Sequence, residues 1–92
     1  MNVLLVEDDV ALGDAVASYL GVKGFAIERA VSLQQAREAV AESPWDAVLL
    51  DLHLPDGDGL SLIPAVRDRS AAASIIVLTA RDALESRVAG LD

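Results

Sequence analysis

Acidic side chains at the ends of apolar runs are the groups in this sequence best placed to do chemistry. Val48, Leu49 and Leu50 form an unbroken hydrophobic run that stops at Asp51, after which the chain turns through Pro55, Gly57 and Gly59 with two more acids, Asp56 and Asp58. A short apolar run bounded by turn residues suits a strand covered on both faces in a parallel sheet. Asp51 then stands at the carboxyl end of that strand, the rim where open α/β sheets bind ligands. Standing alone, it would read equally well as a loop acid or a helix cap. It has a counterpart, however, because Val3 to Val6 also runs straight into Glu7, Asp8 and Asp9. If these two strands are neighbours, their carboxylates converge and raise one another's pKa values, an arrangement that makes sense around a cation. Hard oxygen ligands imply Mg2+, which keeps several waters and takes one or two carboxylates together with phosphate oxygens.

A third apolar run, Ile75 to Leu78, leads into a hydroxyl, Thr79, followed by the small Ala80. Facing the same crevice, that hydroxyl would bind one phosphoryl oxygen and stabilise charge during transfer. Its competing role is to cap the helix that follows.

The elements needed to position these groups alternate along the chain. Val3 to Val6 reads as strand one. Val10 to Lys23 carries Leu12, Ala15, Val16, Tyr19 and Leu20 at helical spacing, with Asp8 or Asp9 as its cap and Gly24 as a left-handed terminator. Phe25 to Ala30 is a weaker strand. Ser32 and Gln35 form a capping box for a second helix lined by Leu33, Ala36 and Val40 and broken by Pro44. After strand three and the Asp51 loop, Leu60 to Arg69 reads as a third helix that Pro64 bends or starts late. Ser74 to Leu78 is strand four, and Asp82 and Glu85 open a last helix closed by Gly90. Such alternation implies right-handed crossovers and a parallel sheet with helices on both faces. Of the two plausible topologies, the flavodoxin-like order 2-1-3-4 makes strands one and three neighbours and puts Asp8 beside Asp51.

Composition sets the outer limits. Ninety-two residues make one small domain, and 53% hydrophobic with 3% aromatic content calls for a core of Val, Leu, Ile and Ala. No apolar run approaches the roughly 20 residues of a membrane span, and Glu7, Asp8 and Asp9 interrupt the N-terminus before a signal-peptide core forms. The absence of cysteine excludes disulfides and thiolate metal sites and fits a cytoplasmic location. A net charge of -8 argues against nucleic-acid binding by this segment.

The stretches LLVEDD, LLDLHLPDGDGL and IIVLTA, in this order and each after or within an apolar run, resemble the receiver domain of a two-component response regulator over the whole of residues 1–92. The resemblance implies that Asp51 is the phospho-acceptor, that Glu7 and Asp8 are the acidic pair holding Mg2+ with Asp51, that the backbone carbonyl of His53 completes the metal shell, and that Thr79 is the switch hydroxyl. It implies a phosphohistidine on a sensor histidine kinase as donor, a transcriptional output domain as the regulated partner, and no enzymatic activity beyond the chain's own phosphorylation and dephosphorylation. A carboxylate is a poor nucleophile in water, but aspartyl phosphates form where a metal neutralises the incoming group.

Against the family pattern, residues 1–92 read as a receiver incomplete at its C-terminus. The family's fifth strand with its lysine and aromatic residue, its fifth helix and an output domain are all missing from residues 1–92, as either a trimmed fragment or a deliberate truncation would leave them. As it stands, the segment is expected to expose one edge of strand four and to self-associate there. Rival readings of the same acids fit less well. A phosphatase of the haloacid-dehalogenase kind wants a second Asp where His53 stands. A Toprim-type nucleic-acid enzyme pairs a Glu such as Glu7 with acids like Asp56 and Asp58, but here these lie in a Pro-Gly turn without a basic surface. An unphosphorylated interaction module is the third alternative.

Overall fold

Side chains that alternate between two apolar faces fix how the central strands are covered. In the computed structural model, which describes residues 1–78, the elements run β1 (Asn2–Val6), α1 (Val10–Val22), β2 (Ala26–Ala30), α2 (Leu33–Glu42), β3 (Ala47–Leu50), a short hairpin of β4 (His53–Leu54) and β5 (Gly57–Asp58), a 3-10 turn (Gly59–Leu62), α3 (Ile63–Arg69) and β6 (Ser74–Val77). The main sheet is parallel throughout, in the order β2-β1-β3-β6. Counting only its own strands, this is the flavodoxin-like order 2-1-3-4 expected from the acids. Thr79 and the helix expected from Asp82 to Gly90 lie outside the described residues.

Two cores flank the sheet. Leu4, Val6, Val48 and Leu50 point to the face covered by α2, the 3-10 turn and α3, where Ala36, Val40, Leu62 and Val66 are buried. Val3, Leu5 and Leu49 point the other way, onto Val16, Ala17 and Leu20 of α1. The two-residue period of a strand makes this division automatic. The apolar stripe expected on α1 is corrected in part. Leu12 and Tyr19 are 49% and 63% exposed, whereas the inward face is Gly13, Val16, Ala17 and Leu20. The helix is apolar nearly all round, so hydropathy marks its contact face poorly, and Gly13 is what lets Arg29 of β2 reach Asp14 and the Val10 carbonyl.

Local signals set the element ends. Asp9, rather than Asp8, caps α1 by accepting the Leu12 amide at 3.0 Å. Gly24 follows α1 at φ +96, a conformation that costs other residues roughly 1 kcal/mol or more. Ser43, before Pro44, is extended and closes α2. Pro64 falls in the first turn of α3, where its missing N–H leaves no bond unmade, so the late start is the outcome and the preceding turn is 3-10. The single tryptophan, Trp45, seats the entry to β3: its Nε1–H donates to the Ala39 carbonyl at 3.1 Å and its backbone amide to Ser70 Oγ at 2.9 Å.

Leu4 is fully buried at the centre of β1. Leu4→Ala should therefore lower the unfolding free energy by about 2–5 kcal/mol, read as a reduced urea midpoint, whereas Val22→Ala, at a position 87% exposed, should shift it little.

Candidate functional site

Strand register brings the acids together. Val6 pairs with Leu50 across β1 and β3, so the two strands finish level with one another. The Asp51 amide donates to the Val6 carbonyl at 2.9 Å and the Glu7 amide to the Ala30 carbonyl at 3.0 Å, which carries the parallel ladder one residue past each strand. Oxygen atoms of Glu7, Asp8 and Asp51 lie within 4.8 Å of one another. Glu7 and Asp51 are buried, 4% and 3% exposed, and Asp8 is exposed.

The surroundings hold these carboxylates in place. Glu7 Oε2 accepts the Asp9 amide at 3.1 Å, which fixes the turn that also presents Asp8. Asp51 Oδ1 accepts the His53 amide at 3.2 Å. Two residues later the chain reverses in the hairpin, where His53 pairs with Asp58 and Leu54 with Gly57. It then crosses back over Asp51: the Gly59 amide donates to the Leu52 carbonyl at 2.8 Å, and a Cβ at residue 59 would collide with the Asp51 carbonyl oxygen. Glycine there is a requirement of close backbone approach.

Electrostatics follow from this crowding. Burial pushes the Glu7 carboxyl above its usual range; the Asp9 amide pulls the other way, and the charge of Asp51, a hydrogen bond with it and the charge of Asp8 all add to the rise. Protonation of Glu7 would relieve this repulsion, which is why its carboxyl is shifted upward. A divalent cation relieves it differently. The donors are all carboxylate oxygens, which suit a hard ion such as Mg2+ and offer nothing to a thiophilic one. Beside the cluster opens a groove of about 470 Å³ whose lining includes Asp8, His53, Pro55, Asp58 and Leu60, so the exposed member of the cluster, Asp8, borders space for a further reactant.

The remaining acids of the loop stand apart. Asp58 caps the 3-10 turn, its Oδ1 accepting the Leu60 amide at 2.9 Å. Asp56 turns to α2 and accepts the amides of Leu33 and Gln34. Neither joins the cluster, which removes the pairing with Glu7 that a Toprim-like site would need. His53 presents its backbone next to Asp51, and its side chain is exposed. Two features of the site escaped the sequence reading, the hairpin and the clasp of Asp56 on α2. The Gly57 and Gly59 spacing was the available signal for the first, and nothing local marks the second.

Comparison with known proteins places these observations in a family. The sequence profile of the response regulator receiver domain matches residues 3–92. The chain is 42% identical over 91 residues to the transcriptional regulatory protein QseB of Escherichia coli O157:H7 and 45% identical over 92 residues to the swarming motility regulation protein RssB of Serratia marcescens. It spans 99–100% of itself but only 42% of the length of either relative. Among solved structures, the receiver domain of the sensor histidine kinase PA1611 from Pseudomonas aeruginosa PAO1, with a magnesium ion coordinated in its active-site cleft, superposes with a TM-score of 0.81 at 28% identity, covering 95% of this chain and 73% of that one. A response regulator from Burkholderia pseudomallei with a phosphorylated aspartic acid, a calcium ion and citrate gives 0.79 at 26% identity, covering 97% and 55%. A sheet in flavodoxin-like order, acids gathered at the ends of its two central strands and a profile match along nearly the whole sequence make this chain a member of the response regulator receiver domain family.

Proposed function

We propose that this receiver accepts a phosphoryl group on Asp51 from a phosphohistidine of a sensor histidine kinase and thereby regulates a transcriptional output domain. The observation that carries the reading is the buried Asp51 carboxylate at the end of β3, within 4.8 Å of Glu7 and Asp8 oxygens and beside an open groove. Glu7, Asp8, Asp51 and the backbone carbonyl of His53 would hold Mg2+. Bound there, the ion supplies positive charge that offsets the charge of the phosphoryl oxygens. The residues of the chain do the rest. The His53 amide, bonded to Asp51 Oδ1, orients the carboxylate; a carboxylate oxygen attacks phosphorus as the phosphorus–nitrogen bond of the donor breaks; and the imidazole leaves with the bonding pair and takes up a proton. Thr79, next after the last described residue of the β6 run, is assigned the hydroxyl contact to the transferred group. The magnesium ion of the PA1611 receiver and the phosphorylated aspartic acid of the Burkholderia regulator support the same assignment.

Intact-mass measurement after incubation with acetyl phosphate and Mg2+ tests the nucleophile. The wild-type chain should gain one phosphoryl group, Asp51→Asn should gain none, and Asp58→Asn should still be labelled. Asp8→Asn should label at least about tenfold more slowly, since even groups that only support metal ligands change metal affinity about 10–100-fold, and added Mg2+ should recover part of the rate. Persistent labelling of Asp51→Asn would show that another acid is the acceptor, and an unlabelled wild type would favour an interaction module.

The raised pKa of Glu7 makes a separate prediction with a definite sign. A carboxyl whose folded-state pKa exceeds its unfolded value keeps its proton longer in the fold, so its contribution favours the fold at low pH and is lost as pH rises from about 4.5 through the raised value. Metal-free protein should therefore lose stability across that window, and Mg2+ should restore it at neutral pH by binding only the folded state. Glu7→Gln should raise the metal-free Tm at neutral pH and blunt the Mg2+-induced increase. Thermal unfolding with and without Mg2+ checks both, and a Glu7→Gln chain that is less stable without metal yet equally responsive to it would contradict them.

A further inference from the structure

Helix α2 is capped twice, once by its own residue and once by the loop that follows Asp51. Ser32 Oγ accepts the Gln35 amide at 3.1 Å. The two amides before it, which helix geometry leaves without intrahelical partners, are taken by Asp56: Oδ1 accepts Leu33 at 2.7 Å and Oδ2 accepts Gln34 at 3.0 Å. Those amides hold the Asp56 carboxyl below its usual range, Leu33 contributing most, so it is ionised at neutral pH and both oxygens accept. A second tie lies one turn along, where Arg37 donates to Ser61 Oγ at 3.0 Å. Between these two ties runs the part of the loop that doubles back over Asp51.

We propose that Asp56 is a positioning residue for the cation site, clasping the first turn of α2 and so fixing the hairpin that carries the His53 backbone beside Asp51. The proposal rests on the reading of Glu7, Asp8, Asp51 and the His53 carbonyl as ligands. The mechanical path is short. Asp56 occupies the turn between β4 and β5, whose paired residues are Leu54 with Gly57 and His53 with Asp58. Holding the turn therefore holds both pairs, and the outer pair contains His53, whose amide meets Asp51 Oδ1. Leu54, buried against the core with Leu33, sets the depth of the hairpin, and the clasp sets its angle. Released from α2, the hairpin is free to rock about Leu54, and the His53 carbonyl loses its fixed distance from the carboxylates.

Ser32 provides the comparison that separates this role from general helix stability, because its cap bond stays within α2. Mg2+ titration by calorimetry, well below each Tm, and amide hydrogen exchange at His53 and Gly59 should be measured for the wild type, Asp56→Ala, Asp56→Asn and Ser32→Ala. Both alanine variants should lower Tm. Of the two alanine variants, only Asp56→Ala should weaken Mg2+ binding, by about tenfold, the lower end of what groups supporting metal ligands contribute, and only it should speed exchange at His53 and Gly59. Asp56→Asn, which keeps one oxygen acceptor, should fall between, and it carries the test if the alanine variant does not fold. Unchanged Mg2+ affinity in the Asp56 variants, or equal weakening in Ser32→Ala, overturns the proposal. If the wild type itself fails to bind Mg2+, the cation reading is what fails. Hydrogen exchange then decides the clasp: acceleration confined to the Asp56 variants upholds loop fixation, and unchanged exchange refutes it.

Discussion

Two carboxyl groups forced side by side at the ends of β1 and β3 are the constraint on which the rest of this structure depends. The register that pairs Val6 with Leu50 leaves no choice about the next residue of each strand, so Glu7 and Asp51 meet, both buried. Like charges at such range resist being brought out of water together. The flanking structure must therefore be firm enough to hold them, and its firmness is visible in the apolar strands on either side and in the backbone ladder that continues past both strand ends. What relieves the repulsion, a proton or a cation, becomes the variable to which the fold is sensitive.

Residue type alone does not assign a task to the six acids of the two loops. Glu7 and Asp51, first after their strands, turn inward; Asp8, one step further out, faces the groove; Asp9, Asp56 and Asp58 satisfy amides at the starts of helical segments. Distance from the strand end decides which acid meets another carboxylate and which meets a helix N-terminus, where backbone amides and the helix dipole favour its charge. A net charge of -8 therefore conceals local balance, since several of these charges are matched by oriented peptide groups.

Strands β1 and β3, their adjacency and the meeting of their acids were legible because unbroken apolar runs ending in acids have few other interpretations in a parallel sheet. Gly24, Pro44 and Pro64 were legible because their backbone limits act locally. The contact face of α1 was not, since Leu12 is as apolar as the residues that do pack, and Gly13, which no hydropathy pattern marks, is the buried position, lying against Arg29. The capping box of α2 reaches one residue further back than the Ser32 and Gln35 spacing implies: Gln35 Oε1 takes the amide of Val31 at 3.0 Å rather than that of Ser32. The loop after Asp51 looks like a plain turn in sequence because a two-pair hairpin leaves almost no periodicity, and the bond from Asp56 to α2 spans 23 residues, beyond any local pattern.

The placement of Trp45 has an optical consequence. It stands before β3, at the end of that strand away from Asp51, about 20 Å along the extended backbone, and its indole is enclosed by the α2 side of the core, with Nε1–H held by Ala39. As the only tryptophan among residues 1–92, it makes the emission of this segment a gauge of packing between α2 and the sheet. Chemistry at the acidic rim is too distant to quench that fluorophore directly, so any change in emission that accompanies an event at Asp51 reports a rearrangement carried through the body of the domain.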